Sequence, residues 1–219
     1  MLCLGPKISK SVRPIKKSAS LQGGEPPKRV RIIGGLWRSR LLTVIDLPGL
    51  RPSTDRIRET VFNWLGQDLT GLRCLDLFAG TGALGFEAAS RDAASVTLLE
   101  KDKKAYSNLL KNFSLLQSSP ASGSVDILHE DSLAFLKRQS DSSSNLIFID
   151  PPFQDKHLLE QSVVEAGRVC NDGIGGGIYI EFPSNQPLEQ LLSLLPGWNC
   201  EKYLEAGQVK ACLLRSRSD

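Results

Sequence analysis

From residue 74 onward, short apolar runs alternate with longer amphipathic stretches. The runs 74–78, 96–100, 125–129, 146–150 and 178–182 lack the polar-every-second-residue signature of a half-exposed strand, so they predict strands covered on both faces in a largely parallel sheet. Between them, residues 84–91, 104–116, 132–138 and 156–169 carry apolar side chains at helical spacing and predict crossover helices. Strand and helix taken in turn specify a doubly wound α/β domain. Two last strand-like runs, 198–204 and 209–214, meet across a turn at Gly207, so the final strand is expected to run antiparallel to its neighbour. Residues 118–124, 139–144 and 171–177 read as loops.

Upstream the pattern differs. Two β-prone stretches within residues 30–44 flank Gly34-Gly35, a pair able to form a tight hairpin turn, with Arg31, Arg38 and Arg40 on its surface. Ser53 or Thr54 can cap a helix whose first turn holds Asp55. Ile57, Val61, Trp64 and Leu65 then fall on one buried stripe, and Arg56 and Arg58 are expected off it. Residues 1–29 mix Lys, Ser, Pro and Gly without periodicity and predict a flexible tail. The expected organisation is a tail over 1–29 and one domain over 30–219, with a hairpin segment at 30–52 and the α/β core at 53–219.

With 219 residues, 41% hydrophobic, 23% charged and 6% aromatic, the chain has an ordinary globular composition suited to one domain. No apolar run approaches the roughly 18 residues of a membrane span, and the first residues lack the apolar core of a secretion signal, so a cytoplasmic protein is expected. The five cysteines are scattered and the histidines number two, which argues for packing thiols and against a zinc site. The net charge of +3 is unevenly spread: residues 1–58 hold 13 Lys/Arg against 3 Asp/Glu, and residues 59–219 hold 14 against 21. A basic head on an acidic body points to a polyanionic partner. For residues 1–28 alone, a solvated lysine tail explains the charge equally well.

Two loops carry chemistry. The first is Asp76-Leu77-Phe78-Ala79-Gly80-Thr81-Gly82-Ala83-Leu84-Gly85, a GxGxxG at a strand end before a helix, where backbone amides can approach a ligand closely. Glu100, twenty residues after Gly80 at the end of the next strand, can accept hydrogen bonds from both hydroxyls of a ribose. A nucleoside-bearing cofactor is therefore expected. Asp76 would repel a pyrophosphate but attract the ammonium and sulfonium of S-adenosylmethionine. Gly80 and Gly82 leave room for its methionine part. Asp131 is placed to accept from an adenine amino group and also to cap the helix that follows. Phe78 and Ser132 adjoin these positions and complete the expected cofactor set.

The second loop, Asp150-Pro151-Pro152-Phe153, follows the fourth strand at the carboxyl edge of the sheet. The exocyclic amine of a nucleobase is a weak nucleophile because its lone pair is delocalised into the ring. Asp150 can accept one N–H and the Pro151 carbonyl the other, which turns the lone pair toward a methyl donor. Prolines hold the carbonyl rigid, and Phe153 offers a face on which the base can stack. An ordinary proline-rich strand exit is the plainer alternative.

The segments Arg31-Ile32-Ile33-Gly34-Gly35-Leu36-Trp37-Arg38 and Leu50-Arg51-Pro52-Ser53-Thr54-Asp55-Arg56-Ile57-Arg58-Glu59-Thr60-Val61-Phe62-Asn63-Trp64-Leu65, the two loops, and Ala206-Gly207-Gln208-Val209 together resemble the RsmD family over residues 30–215. The resemblance implies a seven-stranded class I methyltransferase fold (Rossmann-like) with an antiparallel last strand. It also implies S-adenosyl-L-methionine as donor without a metal, and methylation of a guanine N2 in the 16S rRNA of a partly assembled small ribosomal subunit. Carried over by position, Asp76, Gly80, Gly82, Glu100 and Asp131 hold the cofactor, and Asp150, Pro151 and Phe153 hold the guanine. Arg31, Arg38, Arg40, Arg51, Arg56 and Arg58 are the candidates for RNA contact, in a chain expected to be a monomer. Three alternatives stand beside this: a DNA adenine or cytosine amino-methyltransferase, a nucleotide-dependent oxidoreductase, and an RNA-binding assembly factor with a dormant pocket.

Overall fold

A computed structural model describes residues 29–45, 55–171, 173 and 175–216. Of the tail expected over residues 1–29, residues 1–28 lie outside the described residues, as do the expected roles of Arg51, Ser53 and Thr54, while Arg29 already belongs to a strand. Two short strands, β1 (Arg29–Arg31) and β2 (Leu41–Thr43), pair antiparallel. They precede α1 (Asp55–Trp64). The core then runs β3 (Arg73–Asp76), α2 (Ala83–Ser90), β4 (Ser95–Glu100), α3 (Lys103–Leu116), β5 (Ser124–His129), α4 (Ser132–Arg138), β6 (Leu146–Ile149), α5 (Lys156–Val169), β7 (Gly177–Pro183), α6 (Leu188–Ser193), β8 (Trp198–Ala206) and β9 (Val209–Ser216).

Seven strands form one sheet in the order β5-β4-β3-β6-β7-β9-β8. The first five are parallel, and β9 lies antiparallel to both β7 and β8. The order reverses at β3, which has β4 on one side and β6 on the other, and such a switch point opens a crevice at the carboxyl ends of the strands. One apolar core packs α1, α2, α3 and the hairpin segment against one face, through Ile32, Trp37, Phe62, Phe86 and Leu109. The opposite face is covered by α4, α5 and α6, through Phe135, Leu136, Val163 and Leu191. Both faces are thus dry over the central strands β3, β6 and β7, whereas β5, expected to be covered on both faces, lies at an edge and contains no fully buried residue. No helix among the described residues is long and apolar enough to cross a membrane.

Three expectations are corrected. Gly34-Gly35 is not a two-residue turn: the hairpin closes through the nine-residue loop 32–40, whose middle docks on α2. Gly35 has φ +70°, and a Cβ there would meet the Ser90 carbonyl oxygen at 1.7 Å, so the glycine serves the docking. Leu36 N donates to that same carbonyl (2.7 Å), Trp37 N donates to Ser90 Oγ (2.8 Å), and the fully buried Trp37 ring sets its edge on Phe86. Second, the buried stripe of α1 is Ile57, Arg58, Val61 and Phe62, with Trp64 only partly covered. Arg58 is therefore inside, where a charge needs partners that a hydrophobicity pattern cannot reveal. Third, α6 occupies a stretch for which no helix was expected.

Candidate functional site

β3 and β6 are adjacent, so the loop after Asp76 and the loop beginning at Asp150 leave the sheet side by side. At the glycine loop, Asp76 is buried, and its Oδ2 accepts from Gly85 N (2.9 Å). Burial pushes its carboxyl up to about 7, against hydrogen bonds from Gly85 and Phe78 that pull it down. The carboxylate forms a floor under the loop, next to the start of α2. Gly82 caps α2 with φ +85°, and a Cβ there would meet the Phe86 ring at 2.2 Å, so the tight turn into the helix admits no side chain. Gly80 also has positive φ (+53°).

Glu100 closes the loop from the other side. Its Oε2 accepts from Gly80 N (3.0 Å) and its Oε1 from Asp102 N (2.7 Å). Each oxygen keeps a lone pair for a further donor. Partial burial raises this carboxyl above its usual range. Asp102 caps α3 by accepting from Lys104 N and Ala105 N. Asp131 caps α4 through Ala134 N (3.0 Å) and accepts from Lys101 Nζ (2.9 Å), which holds its carboxyl below the usual range. The capping role is thus present. Ser132 is buried and its hydroxyl donates to the Leu77 carbonyl, fastening α4 to the cofactor loop. Phe78 is half-buried against the α4–α6 core.

At the second loop, β6 ends at Ile149, and Asp150 stands half-buried at its tip. Pro151 is buried, while Pro152 and Phe153 are exposed, Phe153 by 38%. The loop is short and braced: Asp155 N donates to the Pro152 carbonyl (3.1 Å), and the Asp155 carboxylate caps α5 by accepting from Leu158 N (2.9 Å). Phe153 lies beside Pro151, Pro183 and Gln186 at the carboxyl edge. An exposed aromatic face beside a rigid carbonyl suits a flat, amine-bearing ring.

The candidate RNA-facing arginines divide. Arg31, Arg38, Arg40 and Arg56 are exposed. Arg31 reaches Asp55 (3.4 Å) and Arg40 reaches Ser118 Oγ (3.4 Å), both weak contacts. Arg58 is withdrawn from that surface. Its guanidinium, wholly buried, pairs with Asp55 (2.7 Å) and with Glu87 of α2 (3.5 Å). Glu87 is wholly buried too; it accepts from Ile33 N and Gly34 N (2.7 Å each) and pairs with Arg91 (2.8 Å). Beyond Arg58 stands a second buried carboxylate, Glu181 of β7, which feels the Arg58 charge and accepts from the buried Tyr179 hydroxyl (2.8 Å). None of Glu87, Arg91, Tyr179 and Glu181 was expected at the site. The available signal was a lone charge in an apolar element: Glu87 within α2 (ALGFEAAS) and Glu181 within β7 (GIYIEFP).

Comparison with known proteins finds relatives over most of the chain. The family described as Conserved hypothetical protein 95 matches residues 30–214. The chain is 40% identical over 185 residues to "Ribosomal RNA small subunit methyltransferase D" of Escherichia coli strain K12, covering 83% of this chain and 87% of that protein. The solved structure of the Escherichia coli protein YhhF superposes with TM-score 0.71 at 37% identity, covering 88% of this chain and 100% of the other. A chain solved in complex with SAH shares the fold alone, with TM-score 0.63 at 17% identity over 90% of this chain and 58% of the other.

Proposed function

The chain belongs to the RsmD family, described as Conserved hypothetical protein 95, and from that premise we propose that it methylates the exocyclic N2 of a guanine in 16S rRNA, with S-adenosylmethionine as donor and a partly assembled small subunit as substrate. The observation that carries the reading is the adjacency of two strand tips: a buried carboxylate under a glycine loop on β3, and Asp150-Pro151-Pro152-Phe153 on β6.

The residues present fit the donor. A carboxylate floor at Asp76, a positive-φ turn at Gly80 and Gly82, and a ribose-ready carboxylate at Glu100 suit a cationic nucleoside. When bound, that group supplies a methyl on an electron-poor sulfur. Asp150 and the Pro151 carbonyl take the two N–H groups of the guanine amine and fix its direction, while Phe153 holds the ring by stacking. Arg31, Arg38, Arg40 and Arg56 hold the phosphates around it, and Asp131 and Ser132 keep the cofactor loop in place.

The Asp76 carboxyl gives a pH test. Because burial lifts it from 3.8 to about 7, the unliganded fold favours the neutral acid. Its contribution to stability is then complete at low pH and is lost as pH rises toward about 7. The ammonium group that S-adenosylhomocysteine shares with the donor favours the ionised form, so its affinity is expected to fall about tenfold per pH unit below about 7 and to level off above it. Calorimetry from pH 5.5 to 8.5 reads this. Asp76→Asn should flatten the curve, and a wild-type curve already flat would remove Asp76 from the cofactor site.

The guanine assignment is tested by giving the protein labelled donor and small-subunit particles lacking the methyl group; label on an adenine or cytosine amine would replace it with the DNA-type reading. For the RNA surface, the double variant Arg38→Gln/Arg40→Gln should lower the slope of log affinity against log salt by about 1.4–1.8, one released counterion fraction per lost contact. An unchanged slope would place both arginines off the RNA.

A further inference from the structure

Glu181 is not part of the surface that a guanine can touch, yet its position is specific. The register pairs Ile149 of β6 with Ile180 of β7, so Asp150, just past the end of β6, lies next to Glu181, which is still within β7. Glu181 is 2% exposed, and its Oε1 accepts from Tyr179 Oη (2.8 Å). On its other side β9 presents the small Ala211. The Arg58 guanidinium, carried in by α1, is the buried cation whose field reaches it, with Glu87, Asp55 and Arg91 grouped around that cation. The Tyr179 phenol keeps its proton, raised first by burial, then by Glu181 and Asp150, with Cys212 of β9 a smaller influence. A buried carboxylate that accepts from a phenol and lies in the field of a guanidinium, in an otherwise apolar strand, is costly to maintain for packing alone.

We propose that Glu181 is a positioning residue for methyl transfer: a fixed negative charge behind Asp150 that stabilises the positive charge the guanine amine acquires as it is alkylated. The inference rests on the guanine-N2 reading above. Alkylation of an amine at a sulfonium forms an N–C bond and breaks an S–C bond, the sulfur keeping the bonding pair. The nitrogen is cationic until one of its protons leaves. Asp150 takes that proton and passes it to water. Glu181 touches neither base nor donor; it acts through the potential at Asp150 and at the nitrogen, where a preorganised charge in a water-poor site is most effective. The Tyr179 hydroxyl keeps it aimed, and the Arg58 charge acts on it from α1.

The test is a series at one position and its partner, on the full chain with deficient small-subunit particles. Glu181→Gln preserves shape and removes charge; kcat should fall about 10–100-fold, with KM for the particle and the affinity for S-adenosylhomocysteine within about twofold. Glu181→Asp should recover most of kcat. A second readout needs no turnover: the Asp150 carboxyl carbon resonance, identified by its absence in Asp150→Asn, should titrate at lower pH in Glu181→Gln than in wild type, because a neighbouring negative charge has gone. Tyr179→Phe, a milder change, should move both readouts the same way by less, and decides the matter where Glu181→Gln does not fold. An unmoved resonance, an unchanged kcat, or a loss confined to KM would overturn the proposal. Wild-type protein that places no methyl on a guanine N2 would instead overturn the functional reading itself.

Discussion

Asp150→Ala is expected to lower kcat for methyl transfer by about 10²–10³-fold while leaving the affinity for S-adenosylhomocysteine within about twofold. The separation follows from the sheet. Asp150 stands at the tip of β6, while the proposed cofactor contacts come from the tips of β3 and β4 and the start of α4, which are braced without it: Asp76 by Gly85, Glu100 by Gly80 and Asp102, Ser132 by the Leu77 carbonyl. The lost function is the acceptor that orients the amine and takes its proton, a requirement felt most in the transition state. KM for the particle should change little, since the exposed arginines and Phe153 remain. Asp150→Asn is the sharper control. It keeps an acceptor oxygen but cannot take a full proton, so an intermediate loss separates orientation from proton acceptance. Steady-state kinetics with labelled donor, beside calorimetry on the same preparations, reads both. A parallel loss of cofactor affinity would mean that Asp150 belongs to the cofactor cradle.

The α/β core was legible because its signals are local. Apolar runs became β3 to β7, and the capping acid at 131 marked where α4 begins. The loops at Asp76 and Asp150 were legible for the same reason: strand exit, glycine turn and acid lie within a few residues of one another. The hairpin was legible but its turn was misjudged, because the loop's shape is set by α2, over fifty residues away, whose Glu87 and Ser90 supply its missing hydrogen-bond partners. Arg58 was misplaced by the same kind of error. Helical periodicity assigns a charged residue to the outside, whereas here tertiary pairing with Glu87 outweighs it. Glu181 was passed over because a strand pattern records how apolar its neighbours are, and says nothing of which strand tip lies next door.

Glu87→Gln is expected to destabilise the protein by about 3–5 kcal/mol, the largest loss from any isosteric change at this site. The wild-type carboxylate accepts from two backbone amides of the hairpin loop and pairs with two guanidinium groups, Arg91 at 2.8 Å and Arg58 at 3.5 Å, all with little or no exposure. Gln offers one acceptor oxygen in place of two and no charge, so Arg58, whose own ionisation is already disfavoured by burial, is left with the half-exposed Asp55 as its closest acid. Removing one member of a buried ionic cluster costs far more than removing all of it. Glu87→Leu combined with Arg58→Met and Arg91→Leu should therefore recover much of the stability that the single change loses. The same comparison locates the damage. The Ile33 and Gly34 amides should lose hydrogen-exchange protection in Glu87→Gln, while the amides of β6 and β7 keep theirs. Because Glu87 lies on the helix that begins at the cofactor turn, release of the loop should raise KM for the RNA particle more than it weakens S-adenosylhomocysteine. Urea unfolding and native-state exchange measure these effects directly. A single variant as stable as wild type, with the two amides still protected, would show that Trp37 and the Ser90 contacts alone hold the hairpin to the core.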